Sequence, residues 1–139
     1  MSTSALAAQL AEEPVIAAQL KAVRTCNKTL FAAGSCTEGS HVVASGIVNR
    51  DQLKDYLKRG AAAVICGRFI DAEGHAIASD MDDRMIGASL EAMKNKEMGL
   101  LVASGPDRAG PAVAAIKGGY ATHLATCAST AREMLQHAR

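Results

Sequence analysis

Apolar residues return along this chain at two different spacings, one typical of helices and the other of strands. Between Leu6 and Val23 they recur every three or four positions, which predicts helix. Pro14 interrupts this stripe and is suited to the first position of a second helix. A further helix is predicted from Asn49, which has Gln three residues later as in a capping box, to Gly60, a typical helix-ending glycine.

Short apolar runs between the helical segments predict strands. The predicted strands are residues 28–34, 61–66, 98–103 and 120–125, with a hairpin turn at 71–74. Additional helices are predicted at 90–96, at 111–117 and at the end of the chain. An alternation of helices and short strands is typical of α/β layer folds, so we expect a sheet that is mostly parallel.

The composition of the chain fits one domain, and its charge narrows the range of possible functions. The chain has 139 residues, 49% hydrophobic and 21% charged, which suits a packed core and excludes disorder. The pattern contains no linker or repeat, so we expect residues 1–139 to form a single domain. The net charge of +1 argues against direct DNA or RNA binding, and the 3% of aromatic residues argues against a base-stacking surface.

The sequence shows no signal for secretion, a membrane or a cofactor. Residues 1–20 lack the basic start of a signal peptide, and uncharged runs such as 60–67 are too short to span a bilayer. The four cysteines lack the spacing of a zinc site or a disulfide framework. No dinucleotide, Walker or nucleophile-elbow motif occurs. We therefore expect a cytoplasmic protein with reduced thiols, no metal, no cofactor and no identifiable catalytic residue.

Candidate ligand chemistry is concentrated at the ends of predicted strands. In open α/β sheets, ligands bind beyond the carboxyl ends of the strands, where helix starts supply free backbone N–H groups. Three such corners occur, at 34–35, 104–108 and 126–129, although Gly and Ser are also ordinary turn residues. Arg108 strengthens the second corner, because its guanidinium matches phosphate or carboxylate. The candidate ligand-binding residues at these corners are Gly34, Ser35, Ser104, Gly105 and Arg108.

A carboxylate cluster at Asp80, Asp82 and Asp83 is a further candidate. Carboxylates can orient sugar hydroxyls or bind a divalent cation, but the cluster lacks the glycine and the distal Glu of a calcium loop. A solvated loop with a local ion pair to Arg84 explains the same residues, and such a pair contributes little stability.

A series of short motifs resembles the SorC/DeoR-type sugar-binding transcriptional regulators. The motifs are ICGRFIDAEGHAI at 65–77, DRMIG at 83–87, SLE at 89–91, VASGPDR at 102–108, AAIKGG at 114–119 and TAREML at 130–135. They follow one another in the order found in the family. The resemblance covers roughly residues 10–136.

The resemblance implies a Rossmann-like three-layer sandwich related to the sugar-phosphate isomerase/CoA-transferase fold. Such domains bind phosphorylated sugars or sugar alcohols, are generally oligomeric, and signal to an N-terminal helix-turn-helix that binds DNA. Asp83 matches the family's acidic position near the sugar hydroxyls. Arg108 stands where the family usually has a phosphate-binding Lys, and Gly34-Ser35 matches its strand-end glycine loop.

The chain also differs from the family pattern. The helix-turn-helix and the first half of the usual effector domain, with its glycine- and threonine-rich loop, have no counterpart in residues 1–139. We therefore expect a fragment of the effector domain that forms a homo-oligomer or pairs with a partner carrying the other half. Cys127-Ala128 replaces an Asp-Glu pair, and Arg in place of Lys at position 108 excludes a Schiff base there.

Three functions remain in competition at this point. The leading prediction is a sugar-phosphate-binding effector module that controls transcription and contacts DNA only indirectly. The first alternative is a sugar-phosphate isomerase, for which Asp83 is the one candidate base. The second is a purely structural half-domain that serves oligomerisation. One fold hosts many functions, so the fold alone does not decide among them.

Overall fold

In the computed structural model of the chain, which describes residues 1–137, helices and strands alternate. Residues 138 and 139 of the predicted domain lie outside the described residues. The helices are α1 (Ser4–Glu12), α2 (Pro14–Thr25), α3 (His41–Ala44), α4 (Arg50–Lys58), α5 (Ala109–Lys117) and α6 (Ala128–His137). The strands are β1 (Lys28–Phe31), β2 (Ala61–Ile65), β3 (Arg68–Asp71), β4 (Met98–Ala103) and β5 (His123–Thr126). Within residues 1–137, no helix combines the length and the apolar character that crossing a membrane requires.

Three of the strands form a parallel sheet in the order β1-β4-β5. The register places Leu30 beside Leu100, and Leu101 beside Leu124. β2 and β3 form an antiparallel hairpin. Two hydrogen bonds between Gly34 and Val64, of 2.8 and 3.0 Å, join this hairpin to the loop after β1. The predicted α/β fold with a mostly parallel sheet is confirmed.

Helix α5 lies at the centre of the main core. Five consecutive residues, 111–115, are buried, and small side chains at Ala112, Ala114 and Ala115 let the helix approach its neighbours closely. It packs against β2 and α6. The same core contains Leu101 from β4, Ile65 from β2 and the ring of Tyr120. α5 therefore fixes the position of the β4–α5 loop, which precedes it.

The local signals at helix starts are confirmed, whereas one predicted helix is wrong. Pro14 occupies the start of α2, and Asn49 caps α4 in a capping box with Gln52. The segment 90–96 forms only a short 3-10 turn, Glu91–Met93. Its next residues cannot continue a helix, because Asn95 has a φ of +54°.

The sheet is covered on one face at β4 and more open on the other, while all four residues of β5 are exposed. Side chains along β4 alternate, with Leu101 and Ala103 buried and Val102 42% exposed. Leu30, on the same face as Val102, is 70% exposed. We call this side the outer face; its residues are Lys28, Leu30, Met98, Leu100, Val102, His123 and Ala125. Parallel sheets are normally covered on both faces, so this face lacks one layer among the described residues.

A close backbone contact ties the turn after β3 to the end of α5. Gly74 lies directly against Gly118, and the Tyr120 hydroxyl donates a hydrogen bond of 3.0 Å to the Gly74 carbonyl. Gly74 has a φ of +83°, and a Cβ atom there would overlap the backbone of Gly118. Glycine at 74 is therefore required by both its conformation and its surroundings.

Candidate ligand-binding site

A cavity of about 610 Å³ lies beyond the carboxyl ends of β1 and β4. Its walls are the loop at Gly34-Ser35, the segment 37–47 and the β4–α5 loop at 106–108. The volume lies within the range of small-molecule sites, and strand ends are where open α/β sheets bind ligands. A second cavity of about 620 Å³ lies between α4 and the segment 78–84, away from these strand ends. Because only the first cavity lies at the strand ends, we take it as the candidate ligand site and call it the strand-end cavity.

Arg108 brings a positive charge to the strand-end cavity. Its Nη1 atom lies 3.5 Å from the Ala33 carbonyl oxygen, at the edge of hydrogen-bonding distance. No carboxylate among residues 1–137 forms an ion pair with its guanidinium within 4 Å. Asp107 also lines the cavity, and its side chain adds a carboxylate there; its backbone has a φ of +57°. The cavity thus offers an unpaired guanidinium beside an oxygen acceptor.

The segment 37–47 supplies a wall rich in hydroxyl groups. Thr37, Ser40, His41 and Ser45 all line the cavity. Ser40 is only 6% exposed, and its hydroxyl has no hydrogen-bond partner among the described residues. The segment folds back because Val42 packs into a second core cluster, with the Val48 amide 3.2 Å from its carbonyl.

The structure brings together some of the sequence-predicted residues and separates others. Gly34, Ser35 and Arg108 line the strand-end cavity. Asp83 lies instead in the 3-10 turn Asp82–Arg84, exposed, beside a smaller cavity of about 290 Å³ that α1 also lines. Its predicted role beside the same ligand as Arg108 therefore gains no support from its position.

Ser104 and Gly105 contact the β5–α6 corner rather than the strand-end cavity. The Gly105 amide donates a hydrogen bond of 3.1 Å to the Thr130 hydroxyl. The Cys127 sulfur lies 3.2 Å from the hydroxyls of both Ser129 and Thr130. Hydrogen bonds from Ser104 first, then from Ser129 and Thr130, lower the pKa of Cys127 to about 5. We therefore expect a thiolate at this corner at neutral pH.

Cys127 is expected to react with iodoacetamide at a rate that hardly changes between pH 6 and pH 8, because its thiol is already ionised. The rate of an ordinary thiol rises about tenfold per pH unit over this range. Cys36 is the internal control, since burial raises its pKa to about 11. Peptide mass spectrometry after timed alkylation measures both rates. The same steep rise at Cys127 would contradict the assignment, and Ser104→Ala is expected to make its profile steeper.

Several cavity residues were missed from the sequence. Asp107 lies inside the predicted corner 104–108 but was not singled out, and the hydroxyl wall at 37–45 was not predicted at all. The run GSCTEGSHVVAS at 34–45, rich in Gly and Ser and placed directly after a strand, was the available signal. Loops frequently carry binding residues, so the polar character of this whole run indicated a ligand-site wall.

Comparison with known families agrees with this architecture. A family model described as "Putative sugar-binding domain" matches residues 1–136. The uncharacterized transcriptional regulator YjhU of Escherichia coli K12 is 32% identical over 97% of this chain and 41% of its own length. The deoxyribonucleoside regulator of Bacillus subtilis 168 is 33% identical over 81% of this chain and 36% of its own length. The chain thus spans about two fifths of these curated relatives.

Solved structures show the same fold. A DeoR family transcriptional regulator from Listeria monocytogenes superimposes with a TM-score of 0.89 at 20% identity, over 96% of this chain and 54% of its own. The full-length sorbitol operon regulator SorC from Klebsiella pneumoniae gives a TM-score of 0.86 at 17% identity, over 97% of this chain and 44% of its own. The family match over residues 1–136 confirms the resemblance seen in the sequence motifs. The chain belongs to the sugar-binding domain family of DeoR/SorC-type transcriptional regulators.

Proposed function

We propose that the strand-end cavity binds a phosphorylated sugar or sugar alcohol, with the phosphate on Arg108. The observation that carries this proposal is the guanidinium at the carboxyl ends of two parallel strands, which has no ion-pair partner within residues 1–137. A guanidinium pairs with phosphate through two parallel hydrogen bonds and keeps its charge at every physiological pH.

The other wall residues suit the sugar part of such a ligand. Asp107 accepts hydrogen bonds from hydroxyl groups, and the side chains of Ser35, Thr37 and Ser45 both donate and accept them. Val42, Val64 and Ile47 add an apolar surface. A phosphosugar presents the same combination of an anion, several hydroxyls and a partly apolar ring.

The test is a thermal-unfolding panel with ribose 5-phosphate, glucose 6-phosphate, fructose 6-phosphate and sorbitol 6-phosphate. The same compounds without phosphate serve as the comparison. At one hundred times its Kd a ligand adds about 2.7 kcal/mol to the free energy of unfolding, which raises Tm by several degrees. Arg108→Ala is expected to weaken binding of the active compound about 10- to 100-fold, because a charge-assisted hydrogen bond is lost.

Arg50→Ala is the matched control for Arg108→Ala. It removes the same charge from an exposed position at the start of α4, outside the strand-end cavity, so the ligand-induced shift should stay as in the unsubstituted chain. A flat panel on folded protein would overturn the proposal. An equal shift with and without phosphate would overturn the role of Arg108.

We infer that the output of this binding is transcriptional control exerted through other protein segments, in the cytoplasm. The four cysteines are unpaired, which suits a reducing compartment. The net charge of +1 is too small for this chain to bind the DNA backbone by itself, so we assign DNA contact to a different polypeptide region. The outer face of the sheet supports association, because Leu30 and Val102 expose apolar surface there. For the isolated chain we propose a second copy as the occupant of that face.

A further inference from the structure

The charged side chains in the wall of the strand-end cavity are few and of opposite sign. Arg108 supplies a guanidinium, and the residue before it, Asp107, supplies a carboxylate. Both residues are exposed. No ion pair within 4 Å joins them to each other, or either of them to another of residues 1–137. Each charge is therefore available to a ligand in the cavity.

The described residues of this wall offer no second permanent cation. His41 is the remaining ionisable residue that lines the cavity, and its imidazole carries no permanent charge. Arg68 directly follows a lining residue, but its guanidinium is engaged elsewhere. It donates a hydrogen bond of 2.6 Å to the Ala88 carbonyl and lies 3.9 Å from the Asp82 carboxylate. The wall can therefore compensate one phosphate group, at Arg108.

A second phosphate on the same ligand would meet two costs in this cavity. It would lose part of its water without gaining a cation, and a charge removed from water without a partner is unfavourable. It would also be repelled by the carboxylate of Asp107, because like charges a few ångströms apart repel even when solvent screens them partly. Proteins frequently discriminate between ligands by such a repulsive group as well as by attractive ones.

We propose that Asp107 is a specificity-determining residue that restricts the strand-end cavity to ligands with one phosphate. This inference rests on the proposed function, since it places a phosphosugar in the cavity, and it narrows the ligand class to sugar monophosphates. The phosphate pairs with Arg108, and sugar hydroxyls donate hydrogen bonds to Asp107. A sugar bisphosphate brings a second anion against the same carboxylate.

The test measures by isothermal titration the Kd of the panel compound with the largest shift and the Kd of its bisphosphate, for example fructose 6-phosphate and fructose 1,6-bisphosphate. The unsubstituted chain should bind the monophosphate about tenfold more tightly or better. Asp107→Asn should lower this ratio about five- to tenfold, mainly by strengthening bisphosphate binding. Asn keeps the size, still accepts hydrogen bonds and tolerates the φ of +57°, so the ligand-free Tm should stay the same.

Asp51→Asn is the matched control, because it removes a carboxylate from α4, outside the strand-end cavity. Its ratio of the two Kd values should equal that of the unsubstituted chain. Equal or tighter binding of the bisphosphate by the unsubstituted chain would overturn this inference and leave the proposed function standing. An unchanged ratio in Asp107→Asn, or the same drop in Asp51→Asn, would also overturn it. Absence of any shift in the panel would overturn the proposed function and this inference together.

Discussion

Gly74→Ala is expected to remove about 3 kcal/mol or more from the free energy of unfolding. The new Cβ atom would overlap the backbone of Gly118 and lie 2.6 Å from the Ala114 carbonyl oxygen. The turn would have to move away from α5, and that movement would break the buried bond from the Tyr120 hydroxyl to Gly74. A small domain has only about 5–15 kcal/mol in total, so Tm should fall steeply. Chemical denaturation monitored by circular dichroism measures the change.

Gly119→Ala separates the clash from the conformational cost. Gly119 has a φ of +75°, close to that of Gly74, but among the described residues other than its two chain neighbours no atom lies within 4 Å of its Cβ position. It should cost only about 1 kcal/mol. If Gly74→Ala cost no more than this, the close contact between the turn and α5 would be refuted.

The isolated chain is expected to self-associate at micromolar concentration, and the double variant Leu30→Lys, Val102→Lys should make it monomeric. Both side chains lie on the outer face, where two copies can bury apolar surface together. Two lysines on each copy would bring like charges into the same contact. Since both residues are substantially exposed in the single chain, the double variant should still fold. Sedimentation velocity over a dilution series measures the association.

Leu135→Lys is the control for this pair of substitutions. Leu135 is 68% exposed but lies on α6, away from the outer face, so the association should persist. A chain that is already monomeric at micromolar concentration would contradict the proposed contact. Association that survives the double variant but disappears in Leu135→Lys would move the contact to α6.

Local signals in the sequence predicted the helix starts well. The Asn49–Gln52 capping box requires only neighbouring residues, and the two bonds form at 2.8 and 2.9 Å. The predicted helix at 90–96 failed because distant contacts decide that segment. Leu90 and Met93 are buried in the main core, and Lys96 donates a hydrogen bond to the Cys26 carbonyl. These anchors leave room for a single turn before β4.

The candidate site was predictable where it depends on a strand end and not elsewhere. The rule that ligands bind at the carboxyl ends of parallel strands predicts a position at the candidate site for Gly34, Ser35 and Arg108. Ser40 reaches the cavity only because Val42 packs into a separate core cluster, a contact that periodicity does not reveal. The 70% exposure of Leu30 was not predictable for a related reason. An apolar strand indicates burial, whereas its actual surroundings depend on which other segments cover the sheet.

The low pKa of Cys127 also bears on which corner suits a phosphate. From sequence alone, the corners after β4 and β5 offered the same small residues and hydroxyls to an anion. In the folded chain, hydrogen bonds from Ser104, Ser129 and Thr130 lower the pKa of the thiol to about 5, so we expect a negative charge there at pH 7. The β5–α6 corner is therefore expected to carry a negative charge, whereas the corner after β4 holds the positive charge of Arg108 beside the carboxylate of Asp107. Below pH 5 the thiol is expected to be protonated, and the β5–α6 corner then no longer disfavours an anion.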